Sequence, residues 1–176
     1  MGWVLLTYQL PADSSRARVA VWREVRRRGA LHLQQAVVAF PDTAEFREHV
    51  ERFAEVVAEV GGETLAVGGQ PLGTSDGDRL VERWNAARDD EYRELIGKCE
   101  AFLGEIEHEF EIEKFTDAEL EEEEAELEKL RRWHERIASR DVHRASAGYD
   151  AAQAIERAEA ALGRFSEAVF ERTGPR

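Results

Sequence analysis

Residues 3–40 place two apolar strands around one amphipathic helix, and few folds accept that order. Trp3-Val4-Leu5-Leu6-Thr7-Tyr8-Gln9-Leu10 reads as a strand that turns at Pro11. A helix follows from Ser15 to Gly29, then a second apolar stretch from Leu31 to Phe40 that ends at Pro41-Asp42. A strand cannot leave an apolar face bare, so the helix between the two stretches must cover it. Val21, Trp22, Val25 and Gly29 recur at helical spacing and supply the stripe for that contact. The other side of the helix is a comb of arginines.

Gly29 is suited to ending the helix. Leu31 to Phe40 reads as one long strand or two short ones bent near Gln34-Gln35. Asp42 with Glu45 forms a capping box for a second helix, with Phe46, Val50, Phe53, Val57 and Val60 as its buried stripe. Gly61-Gly62 stop it, and Glu63 to Val67 makes a last strand. The order strand, helix, strand pair, helix, strand is that of a ferredoxin-like α/β core, expected over residues 1–73. Right-handed crossovers put both helices on one sheet face. Gly68-Gly69-Gln70-Pro71-Leu72-Gly73 reads as a linker.

Residues 74–176 read as an acidic extension of three helices, a C-terminal helical hairpin or bundle that makes the chain α+β. Ser75 is expected to cap the first of them, whose stripe runs through Leu80, Val81, Trp84, Tyr92, Leu95, Cys99, Phe102, Ile106 and Phe110. Thr116 with Glu119 is a second capping box, followed by Leu120, Leu127, Leu130, Trp133 and Ile137. The short connection near Glu113 to Phe115 predicts antiparallel neighbours. A polar break from Ser139 to Ser146 precedes the last helix, with Ile155, Leu162, Phe165 and Val169 facing inward.

Charge divides the same way. Residues 1–73 carry eight arginines against nine carboxylates, whereas residues 74–176 carry sixteen cations against twenty-eight. The second half repels phosphate, so nucleic acid would have to meet the first. Cys99 is the only cysteine, which excludes an internal disulfide and any multi-cysteine zinc site. The first apolar run is too short for a membrane span and is badly flanked for a signal peptide, so a cytoplasmic protein is expected.

Three constellations could carry chemistry. Arg16, Arg18, Arg23, Arg26, Arg27 and Arg28 crowd one helix; Arg16, Arg23 and Arg27 share a face able to grip DNA phosphates or a free oxyanion. The alternative is a solvated face whose arginines pair with Glu24 or with the acidic half. Glu105-Ile106-Glu107-His108 has the Glu-x-x-His spacing of di-iron bundles, which need that motif twice. In the fourth helix the heptad of Leu120 and Leu127 runs on to His134, and the alternate line holds Glu123, Leu130 and Ile137. Two ionisable groups thus fall on or near the seam, facing Tyr92, Cys99 or Glu100. Tyr92, Cys99, Glu100, Glu123 and His134 read either as satisfied polar contacts or as a pocket for a small molecule or metal. No nucleophile elbow, Walker loop, dinucleotide fingerprint or catalytic triad spacing occurs.

Trp3 to Pro11, Arg18-Val19-Ala20-Val21-Trp22-Arg23 and Arg27-Arg28-Gly29-Ala30 resemble the N-terminal region of the chromate-resistance regulator family ChrB. Lys114-Phe115-Thr116, Ala118 to Glu122, Leu130, Trp133 and Arg140-Asp141 resemble that family's helical segment. The resemblance implies a bacterial, non-enzymatic sensory or interaction module linked to chromate-responsive transcription control. Longer members of that family carry a further C-terminal domain. The core is also similar to the C-terminal part of the PaaX repressor and to small CRISPR spacer-acquisition nucleases. Those nucleases end the first strand on an aspartate where this chain has Tyr8-Gln9-Leu10, so no catalytic residue carries over. A sheet with both helices on one face leaves the other open, and a homodimer through the sheet or the helical hairpin is the expectation.

Overall fold

β1 (Trp3–Gln9) forms the inner strand of a four-stranded antiparallel sheet of order β2-β3-β1-β4. Its neighbours are β3 (Val37–Pro41), with Leu6 opposite Val38, and β4 (Glu63–Val67), with Leu6 opposite Ala66. β2 (Leu31–Gln34) lies outside β3. The helices α1 (Ser15–Arg28) and α2 (Ala44–Glu59) make the two crossovers, and this is the ferredoxin-like arrangement. The computed structural model describes residues 2–68 and 73–174, so most of the expected 68–73 linker falls outside the described residues.

The Leu31–Phe40 stretch resolves into two strands around Gln35-Ala36, with Ala36 left-handed at φ 62°. α1 begins on Ser14, whose hydroxyl accepts the Ala17 N–H at 3.1 Å, and ends on Gly29 at φ 64°. Its buried line is Ala17, Val21 and Val25, one turn apart each. Trp22, expected in that stripe, lies a hundred degrees round the helix and is 58% exposed. α2 is capped by Thr43 rather than Asp42, the hydroxyl accepting the Phe46 N–H. Phe46 and Phe53 of α2 pack on Phe40 of β3, and Phe53 also meets Tyr8.

By its contacts the chain forms two units, Met1–Trp84 and Asn85–Arg176. α3 (Thr74–Glu111) begins in the first, one residue before Ser75, which is therefore inside the helix and not its cap. Trp84 is fully buried against Trp3 and Phe46, and Arg83 Nη2 donates to the His32 carbonyl at 2.8 Å. These turns of α3 belong to the core of the α/β unit, beyond Gly73 where the sequence predicts its end.

In the second unit α3, α4 (Asp117–Ala138) and α5 (Gly148–Thr173) enclose one apolar core. Leu95, Cys99 and Ile106 come from α3, and Leu127, Leu130 and Ile137 from α4. α5 contributes one buried line of Ala151, Ala154, Ala158 and Ala161 that continues into Phe165 and Val169. Small side chains let a neighbouring helix approach closely. Thr116 caps α4 as expected, accepting the Glu119 N–H at 3.3 Å. Phe110 is partly exposed, yet it stacks edge-on with Phe115 and Phe165.

Candidate functional site

The six arginines of α1 divide by their helical positions. Arg27 and Arg28 both bind Glu24, a carboxylate only 2% exposed. Burial pushes that carboxyl up, but the hydrogen bonds and charges of the two arginines together outweigh it and hold it below the ordinary range. Arg27 is thus engaged with the fold and departs from the phosphate-gripping face that the sequence predicts. Arg16 and Arg23 remain exposed on that face.

Arg18, Trp22 and Arg26 follow at one-turn intervals and form a second line. Arg26 lies over the Trp22 ring, 5.6 Å from its centroid, a cation–π arrangement. Arg18 Nη1 donates to the Ala12 carbonyl at 3.0 Å, tying α1 to the turn after β1. Between this line and the sheet runs a groove of about 830 Å³. Tyr8 and His32 line it from the strands, Val21 and Val25 from the helix, and Leu10 and Pro11 from the turn. Its charged and titratable lining is Tyr8, Arg18, Arg26 and His32, with no carboxylate. The sequence does not predict the groove; its one signal is the Arg18–Trp22–Arg26 spacing, masked because Trp22 adjoins Val21 of the apolar stripe.

In the second unit the five expected pocket residues separate. Tyr92 and His134 come together, ring centroids 6.1 Å apart. The Tyr92 hydroxyl donates to Asp141 Oδ2 at 3.3 Å; burial and the Asp141 charge push it up to about 12. Around it the residues of α3 clamp the α4–α5 connection. Glu91 accepts from Arg88 at 2.9 Å and from Arg140 at 2.7 Å, and Asp89 accepts from Ser146 and the Ala147 N–H. Asp141 in turn accepts the Ala145 N–H at 2.9 Å. Cys99 is fully buried, and burial raises its thiol, while Glu100 is exposed. None of these three meets Glu123 as the partner expected for it.

Glu123 lies instead in a cleft of about 530 Å³ with Glu105, Glu109, Glu119, Glu122 and Glu126, where Lys98, Lys114 and Lys129 are the cations. It is 6% exposed; burial first, then the charges of Glu105, Glu122, Glu109 and Glu119, push its carboxyl up to about 7. Lys114 answers Glu119 at 2.7 Å and Glu109 at 3.8 Å, but Glu109 Oε2 has no hydrogen-bond partner. His108 is exposed and stands 4.0 Å from Glu111. Among the described residues no three His, Cys, Asp or Glu side chains stand together so as to hold a metal ion.

No helix among the described residues is long and apolar enough to cross a membrane. No curated protein matches the chain. A family model described as "Protein ChrB, N-terminal" matches residues 18–176. The match covers α1 from Arg18 onward, the rest of the α/β unit beyond it, and the whole helical unit, so the resemblance carried by Arg18 to Arg23 and by Arg140-Asp141 extends through nearly the full sequence. The chain belongs to the ChrB N-terminal family, which links it to chromate resistance.

Proposed function

We propose that this chain is a non-enzymatic sensory or interaction module of chromate-responsive transcription control, whose arginine helix α1 meets an anionic partner, DNA in the first instance. The observation that carries the reading is the surviving cationic face. Arg16 and Arg23 are exposed and, unlike Arg27 and Arg28, do not hold Glu24. Arginine forks on one helix face suit phosphate oxygens, and the acidic remainder of the chain keeps such binding weak. The assay is fluorescence anisotropy of a labelled duplex titrated with protein at several salt concentrations. Each phosphate contact contributes about 0.9 to the log–log salt slope, so Arg16→Ala with Arg23→Ala lowers it by roughly two. An unchanged slope in the double variant, or no binding at low salt, refutes the reading.

The same module is proposed to act as a homodimer. β4 is an edge strand, and its Leu65 and Val67 are 65% and 59% exposed. Exposed apolar residues on a sheet edge favour pairing with another chain. Light scattering at micromolar concentration reads the mass, and a monomer sinks this part of the proposal. A second reading, a ligand- or metal-using enzyme built on the α3–α4 seam, is favoured by the unpartnered Glu109 Oε2 in the acidic cleft. Elemental analysis and an absorption spectrum of freshly purified protein separate the two readings: bound metal or pigment supports the second.

A further inference from the structure

The groove beside α1 combines features that a phosphate-contacting face does not need. An indole 58% exposed is costly to leave in water, and Trp22 is held at the groove rim with Arg18 one turn before it and Arg26 one turn after. Eight residues of helix separate the two guanidinium-bearing positions, about 12 Å along the axis, with the indole midway. Most of the remaining lining is hydrocarbon, and the groove's volume lies within the range that holds a small organic molecule. A simple oxyanion would use the cations and leave the indole and the apolar floor idle. A neutral hydrocarbon would use the floor and bring no acceptor to the guanidinium groups at the rim.

We infer that this groove binds a small organic anion with a flat aromatic body, the ring lying against Trp22 and the carboxylate or sulfonate meeting Arg26. Aromatic stacking on the indole and a charge-assisted hydrogen bond from a guanidinium are both stronger in the apolar lining than in open water. His32 at the strand side offers a third polar contact. The inference goes beyond the DNA reading and does not depend on it, because Arg16 and Arg23 take no part in the groove.

The probe is 2-naphthoate, measured by isothermal titration on the full chain, with 2-naphthalenemethanol and sulfate as controls. The expected result is one naphthoate per chain, with the neutral alcohol binding at least tenfold more weakly and 10 mM sulfate failing to displace the acid. Arg26→Gln and Trp22→Ala each weaken naphthoate binding about tenfold, whereas Arg16→Ala with Arg23→Ala leaves it unchanged. Arg18 also ties α1 to Ala12, so Arg26→Gln carries the test if Arg18→Ala unfolds the unit. No naphthoate binding at millimolar concentration, equal binding of the alcohol, displacement by sulfate, or full binding by Arg26→Gln each overturns the inference. None of these results touches the salt slope for DNA, so the two proposals fail separately.

Discussion

Glu123→Gln is expected to stabilise this protein, and only above about pH 4.5. The carboxyl is 6% exposed, no described cation pairs with it, and four other glutamates bear on it. Its folded value of about 7 stands above the ordinary 4.5. A raised acid keeps its proton in the folded state while the unfolded chain ionises. The resulting penalty is therefore absent below about 4.5, grows as pH rises, and is complete above about 7. At about 1.4 kcal/mol per pKa unit the penalty reaches roughly 3 kcal/mol, an upper bound because cleft water and side-chain movement relieve part of it. Glutamine matches the protonated acid in shape and cannot ionise. Urea unfolding followed by circular dichroism at pH 4.5 and pH 8 reads the difference. The variant should match the parent at pH 4.5 and shift the midpoint upward by about 1–2 M at pH 8, for a slope near 1.5–2 kcal/mol per molar. An equal shift at both pH values, or a loss of stability at pH 8, refutes the argument. The second result would mean that the carboxylate is ionised and has a cationic partner in solution.

Glu24→Gln should show the opposite dependence, because its carboxyl is held below the ordinary range by Arg27 and Arg28. The variant loses about 2 kcal/mol at pH 7 in the same urea assay, and the loss fades as pH falls below about 4.5 and the parent carboxylate takes up its proton. Arg140→Met strips the 2.7 Å contact from half-buried Glu91 and costs about 3 kcal/mol, seen as a lower thermal midpoint. Gly62→Ala would set a Cβ 2.5 Å from the Gln9 carbonyl oxygen and 2.7 Å from Val57 Cγ1, so the chain must move between β1 and α2. A loss of about 1–3 kcal/mol in the same melt is expected.

The order of elements was legible in the sequence because each strand and helix carries its own period, and the punctuation at Pro11, Gly29 and Gly61-Gly62 bounds them. What was not legible turned on residues whose type does not declare their surroundings. Alanine satisfies a buried seam and a solvated face alike, so residue type does not mark the Ala151–Ala161 line of α5 as it marks Phe165 at the end of that line. Tryptophan errs in the other direction. A large apolar ring beside Val21 reads as core, yet Ala17, Val21 and Val25 already fill the sheet-facing line and leave Trp22 outside. That one displacement turns an arginine-lined helix face into a groove wall. The heptad did place Glu123 on a seam, and the structure buries it; the error lay in seeking its partners by proximity in sequence pattern. Tyr92, Cys99 and Glu100 occupy a stretch of α3 more than one turn from Glu105 and Glu109, and an antiparallel partner brings the start of α4 against the end of α3. Glu123 therefore meets carboxylates rather than the tyrosine and thiol. A buried acid among acids keeps its proton, and the seam that looked like a pocket motif is first a point where pH acts on the fold.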